Sequence, residues 1–334
     1  MSSGSTLMRR QVADRPLTVS ELSLGGSQLG NLYREVSDTD ARATVDSAWE
    51  LGIRYFDTAP HYGLGLSERR LGSALASRPR SDYVLSTKVG RLLERVDHPA
   101  GLDDGGFAVP ATHRRIWDFS RDGIRRSVEE SLGRLGLERV DIVYLHDPDD
   151  YWDDVIRSGY PALAELRDEG VVGAIGAGMN QSRMLADLVR LADVDVVMLA
   201  GRYTLLEQEA LDDLLPACVA RGVSVVAAGI FNSGLLARPR PAADARYDYA
   251  AAPGELVERA RAIASICEQY GTTLPAAAIA FPLAHPAVVS VCVGARSPEQ
   301  IEHNVDLYRE PIPLDLWSRL KAERLLRADA PTPA

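Results

Sequence analysis

The sequence contains no run of 18 apolar residues, so it has no helix-length stretch that would cross a bilayer. Cysteine is scarce. Cys218, Cys267 and Cys292 lie far apart, each in an apolar stretch, which argues against a disulfide framework or a metal site and fits buried thiols. Basic charge is in deficit: 37 Lys plus Arg against 47 Asp plus Glu give a net charge of −10, the wrong sign for a nucleic-acid partner. An anionic cofactor stays open, because backbone N–H groups and one or two arginines can hold phosphate locally. The start, MSSGSTLMRR, lacks the apolar core and cleavage site of a secretory signal, and a cytoplasmic protein is expected.

What is present is a globular composition, 46% hydrophobic and 25% charged, over 334 residues. That length suits one α/β barrel, so a single domain over 1–334 is expected, frayed at about 1–8 and 327–334. Short apolar strands alternate with amphipathic helices from end to end. TVSELSLG precedes a helix at 38–51, RYFDT one at 67–77, YVLSTK one at 120–135, and VDIVYLH one at 159–169. VVGAIGA then precedes 181–192, VDVVMLA 210–221, VSVVAAG 254–270, and VVSVCVG 298–307. Eight such units predict a (β/α)₈ TIM barrel.

Boundary residues agree with this count. Ser67 before Glu68 reads as an N-cap, Ser297-Pro298-Glu299 puts proline at a first helical turn, and Gly136, Gly170 and Gly222 stand where helices should stop. The rival Rossmann sheet needs G-x-G-x-x-G, and the nearest candidate, Gly176 to Gln181, lacks the third glycine. Residues 9–20 predict a β-hairpin turning at Asp14-Arg15-Pro16, placed to plug the barrel floor. Long loops follow the third strand (about 91–118) and the seventh (about 231–253), both on the catalytic face.

Asp57, Lys88 and His146 occupy the last positions of apolar strands, and in such a barrel those ends share one mouth. Tyr62, five residues past Asp57, can reach the same mouth as a general acid–base. Drawing a phenol from about 10 to about 7 takes roughly 4 kcal/mol. A unit charge about 4 Å away supplies that much at an effective dielectric near 20. Lys88 is therefore expected to lower the Tyr62 pKa toward neutrality, with Asp57 holding Lys88 and His146 hydrogen-bonding the substrate oxygen.

Residues 52–72, GIRYFDTAPHYGLGLSERRLG, with STK at 86–88 and VDIVYLH at 140–146, resemble the aldo-keto reductases over about 17–310. The resemblance implies an NAD(P)-dependent oxidoreductase with Asp57, Tyr62, Lys88 and His146 as its tetrad. It also implies cofactor contacts from Gly26, Ser27 and Asp57, from SGLL at 233–236 (Ser233, Gly234, Leu235), and from VGARSPEQIEHN at 293–304 (Gly294, Arg296, Gln300, Asn304). Asn180 is the candidate for the carboxamide, displaced by one position. Ala228 replaces the usual nicotinamide-stacking tyrosine, so Phe231 is offered in its place. Gln300 stands where an arginine often meets the 2′-phosphate, with Arg296 as substitute, so NADP or NAD is expected and dual use is open.

GIFNSGLLA, LAGRYTLLEQ and KVGRLL are most similar to the bacterial aldose 1-dehydrogenases, a group that includes L-fucose dehydrogenases. The partner is then a small sugar or carbonyl, oxidised at C1 to a lactone, with Trp117 and Trp152 as substrate-binding candidates beside Tyr62 and His146. The competing expectations are a general aldehyde or ketone reductase and a non-enzymatic, cofactor-binding regulatory member. A metal-dependent barrel enzyme would need more clustered His and carboxylates. His98 and His113 share a loop with Asp97, Asp103 and Asp104, but no element fixes their spacing, and no metal is expected. No heptad run or apolar stripe decides between monomer and homodimer.

Overall fold

The computed structural model describes residues 7–242, 245–248 and 250–333. An antiparallel hairpin, β1 (Arg9–Gln11) and β2 (Thr18–Ser20), comes first. There follow β3 (Leu22–Gly25), β4 (Tyr55–Asp57), β5 (Val84–Val89), a hairpin pair β6 (Arg91–Arg95) and β7 (His113–Trp117), and β8 (Val140–His146). The second half supplies β9 (Val172–Met179), β10 (Val196–Ala200), β11 (Ser224–Ala228), a short pair β12 (Arg246–Tyr247) and β13 (Ala250–Ala251), and β14 (Val288–Gly294). Eight of these close a parallel barrel in the order β10-β11-β14-β3-β4-β5-β8-β9.

The outer layer is made by α1 (Asp38–Glu50), α2 (Leu66–Leu75), α3 (Arg121–Leu135), the short α4 (Trp152–Asp154) running through a π-turn into α5 (Tyr160–Asp168), and α6 (Ser182–Leu191). α7 (Leu214–Arg221), α8 (Gly254–Gln269), α9 (Leu274–Leu283), α10 (Pro298–Arg309) and α11 (Leu314–Ala322) complete it. No helix among the described residues is long and apolar enough to cross a membrane.

The strands are apolar almost throughout because both faces are covered. Inward, Tyr55, Ile142, Tyr144, Val196, Met198 and Val226 pack with Val12 and Val19 of the first hairpin, so that hairpin closes the end where the strands begin. Polar ties fix it there: the Ala13 N–H donates to Ser224 Oγ at 2.8 Å, and Arg15 pairs with Asp195 at 2.6 Å. Gly176 allows β9 and β10 to approach, since a Cβ there would meet the Val196 carbonyl oxygen at 1.6 Å. The glycines that suggested a Rossmann motif are thus strand residues.

Several expectations need correction. TVSELSLG is two strands, the chain leaving the hairpin for the barrel at Glu21, which Arg10 binds at 2.6 Å. Ser67 does not cap α2; Gly65 does, in the left-handed region at φ 81°. Ser67 is buried instead, donating to the Gly26 carbonyl at 2.7 Å and accepting from Thr58 Oγ1 at 2.8 Å. The loop at 91–118 contains the β6–β7 pair, and α9 and α11 were not foreseen. Of the expected frayed ends, 1–6 and 334 lie outside the described residues. The described parts are tied down: Leu7 is buried, the Arg327 N–H donates to Gln208 Oε1 at 3.1 Å, and Ala330 is 1% exposed.

Candidate active site

Barrel register brings the strand ends together. Gly25 lies beside Asp57, Asp57 beside Ser86, Lys88 beside Tyr144, and His146 beside Gly178. Lys88 Nζ donates to Asp57 Oδ2 at 2.7 Å and to the Thr58 carbonyl at 2.9 Å, and both charged side chains are almost fully covered. Ser86 Oγ donates to the other Asp57 oxygen at 2.7 Å, fixing the carboxylate from below. Tyr62 arrives on a loop packed backbone to backbone against Gly30; a Cβ on Gly30 would meet the Tyr62 carbonyl carbon at 2.6 Å. Its ring centroid lies 4.6 Å from Lys88 Nζ, and the His146 ring meets it edge-on at 5.9 Å. Asp57, Tyr62, Lys88 and His146 therefore share one mouth.

The electrostatics differ from the expected ones in one respect. Burial raises the Tyr62 phenol to about 12, and the charge and hydrogen bonding of Lys88 pull against that rise without overcoming it. Part of the ammonium's field is spent on Asp57, whose own charge also raises the phenol. Lys88 loses stability as a cation by burial, yet Asp57 and Tyr62 more than offset this and keep it charged. Burial, then Arg91 and Lys88, hold His146 well below its usual range and so neutral.

Reading the sequence missed part of the mouth. His61, beside Tyr62, is packed edge-on against His146 at 5.6 Å and Phe107 at 5.1 Å. Burial and then Arg91, Arg115 and Lys88 push it down to about 2. Arg91 and Asp147 form an ion pair next to His146. For His61 and Arg91 the signal available was adjacency, to Tyr62 and to the end of β5.

A buried His146 and a half-buried His61, both neutral, have a measurable consequence. In the folded chain His61 and His146 stay unprotonated, whereas the unfolded chain binds protons below about pH 6.5. Their stabilising effect is therefore complete above that pH and is lost as pH falls. At pH 5.5 the loss approaches about 1.5 kcal/mol per histidine, about 3 kcal/mol together. Urea unfolding at pH 7.5 and 5.5 should show a drop of this order that shrinks in a His61→Gln/His146→Gln variant. An equal drop in both proteins would mean that the histidines charge in place.

On the cofactor side, α10 begins at Ser297 with Pro298 in its first turn, as expected. Arg296 is half-buried; burial first, and then the charge of Arg34, lowers its pKa, and no ion pair joins either arginine to a carboxylate among the described residues. Such uncompensated positive charge at a helix start suits an anionic phosphate. The Arg296 guanidinium donates to the Leu32 carbonyl at 3.1 Å, while its backbone N–H donates to Gln300 Oε1 at 3.0 Å. Asn304 is buried one turn on, and Gly294 lies against the Gln28 side chain that Ser27 Oγ binds at 2.7 Å. Asn232, Ser233 and Gly234 all have positive φ, a tight turn after β11 that leaves open space at Gly234. Leu235 is buried behind it, Phe231 half-buried before it, and Asn180 exposed after β9. These residues fit a phosphate-bearing nicotinamide cofactor along the rim.

The expected substrate contacts Trp117 and Trp152 are not brought against the tetrad. Trp117 carries the Arg91 guanidinium 4.2 Å above its ring, stacks on Tyr151 at 5.2 Å and remains half-exposed. Trp152 lines a separate cleft of about 420 Å³ with Asp149, Asp150, Asp153, Asp154 and Arg157. The three cysteines are free and buried, their thiols pushed up to about 12 by burial.

Residues 21–323 match the model described as "Aldo/keto reductase family". A D-threo-aldose 1-dehydrogenase of Pseudomonas sp is 50% identical over 95% of this chain and 96% of its own length. A pyridoxal 4-dehydrogenase of Microbacterium luteolum is 40% identical over 95% and 98%. Among solved structures, the holo form of an aldo-keto reductase from Bacillus halodurans superposes with a TM-score of 0.76 at 29% identity, covering 97% of this chain and 98% of that one.

Proposed function

The chain belongs to the aldo/keto reductase family, and from that premise we propose that it oxidises the anomeric hydroxyl of an aldose to a lactone, with Tyr62 as the general acid–base. The carrying observation is Lys88, buried between the Asp57 carboxylate and the Tyr62 phenol. The 50% identity to a D-threo-aldose 1-dehydrogenase supports the sugar as substrate.

When bound, a nicotinamide ring supplies the hydride acceptor. Tyr62 takes the C1 hydroxyl proton as phenolate, which Lys88 stabilises and Asp57 keeps aligned. His146 has no acceptor for a proton on Nδ1, so its proton sits on Nε2, where a neutral imidazole donates to the substrate oxygen. Ser86 holds Asp57, and Asp57 holds the lysine. Gly26, Ser27, Asn180, Phe231, Ser233, Gly234, Leu235, Gly294, Arg296, Gln300 and Asn304 hold the cofactor in this reading. Arg296 and Arg34 provide charge for a 2′-phosphate without the rigid fork an arginine at 300 would add, so both NAD and NADP are accepted.

The test is a panel of L-fucose, L-galactose, D-arabinose, pyridoxal and simple aldehydes with both cofactors, followed by nicotinamide absorbance. Lactone-forming oxidation of at least one aldose is expected. Turnover of aldehydes with none on any sugar would make the chain a general carbonyl reductase.

A further inference from the structure

The proposed chemistry uses neither Arg91 nor Asp147, yet both border the reacting position. Asp147 follows His146 at the end of β8 with φ at 40°, a left-handed conformation uncommon outside glycine. Its N–H donates to the Gly178 carbonyl at 3.0 Å, which fixes that turn. Such backbone strain persists where the surroundings enforce it, often at ligand sites. The Asp147 carboxylate accepts from the Arg91 guanidinium and lies 3.5 Å from His146 Nε2, while 41% of the side chain remains accessible.

Arg91, at the start of β6, is held as a plane. Only 11% of its side chain is accessible, and Trp117, backed by Tyr151 and Phe119, lies beneath it. β6 and β7 are already joined by five backbone pairings from Arg91–Trp117 to Arg95–His113, and the ion pair instead reaches across to the end of β8. A partly exposed ion pair adds little stability by itself. A carboxylate with free lone pairs beside a fixed guanidinium offers acceptors and donors for neighbouring hydroxyls.

We propose that Arg91 and Asp147 form a hydroxyl clamp that selects a polyhydroxylated hemiacetal over an unsubstituted one. This rests on the aldose reading above. The clamp binds ring hydroxyls other than the one oxidised, so its contribution appears in substrate discrimination and not in proton transfer.

The test compares kcat/KM for the best aldose of the panel with that for tetrahydropyran-2-ol, the same cyclic hemiacetal without further hydroxyls. Asp147→Asn keeps a side chain that tolerates the left-handed turn, and Arg91→Met removes the donors. Each should lower the aldose-to-tetrahydropyran-2-ol ratio by about tenfold or more, chiefly through the aldose KM. Both substrates are measured on one sample, so any loss of folded protein cancels. A ratio within twofold of the unaltered enzyme overturns the clamp while leaving aldose oxidation standing. An unaltered enzyme that oxidises tetrahydropyran-2-ol but no aldose overturns the aldose reading and the clamp with it.

Discussion

Tyr62→Phe should reduce turnover by about 10²- to 10⁴-fold while cofactor affinity stays within about twofold. The substitution removes one oxygen from a ring whose packing against Phe107 and His146 is unchanged in shape. The fold should not suffer, because Lys88 retains Asp57 and the Thr58 carbonyl as partners. What disappears is the group proposed to take the proton. With the phenol raised to about 12 in the free chain, aldose oxidation should also accelerate as pH rises, since the base is the phenolate. The phenylalanine variant should lose that dependence. Stopped-flow and steady-state nicotinamide absorbance across pH 6 to about 10 measure both effects, and near-normal turnover in the variant would remove Tyr62 from the chemistry.

The grouping of Asp57, Lys88 and His146 was legible because a polar residue at the end of an apolar strand has few structural uses, and barrel topology sends all such ends to one mouth. Composition held a further signal: of 37 basic residues only Lys88 and Lys321 are lysine, so a lysine at a buried strand end stands out. The eight barrel strands were readable from continuous apolar runs, as was the floor hairpin from its Asp14-Arg15-Pro16 turn. α9, LPAAAIAFPL, was hidden because a helix buried all round shows no polar face to give it a period. Ser67 and Glu68 have the form of a cap and a first-turn acid, yet tertiary partners claim both; buried Glu68 accepts from Thr87 Oγ1 at 2.7 Å and pairs with Arg134. The fall of the Tyr62 pKa was misjudged because pairwise Coulomb arithmetic omits desolvation, the larger effect for a ring packed against Phe107 and His146.

The Asp57–Lys88 pair separates what serves chemistry from what serves the fold. Lys88→Met leaves the Asp57 carboxylate buried at 3% side-chain exposure with the Ser86 hydroxyl as its remaining side-chain partner. Breaking a buried pair from one side costs about 3–5 kcal/mol, whereas replacing both members with neutral groups is often close to neutral. The single variant should therefore unfold at markedly lower urea concentration, and Asp57→Asn/Lys88→Met should recover most of the difference. Activity should not follow stability: both variants should be nearly inactive, because neither has an ammonium beside Tyr62 to stabilise a phenolate. Urea midpoints and turnover measured on the same three proteins decide the point. A single variant as stable as the unaltered chain would show that the pair is solvated, and a double variant that regained turnover would show that Tyr62 works without the lysine.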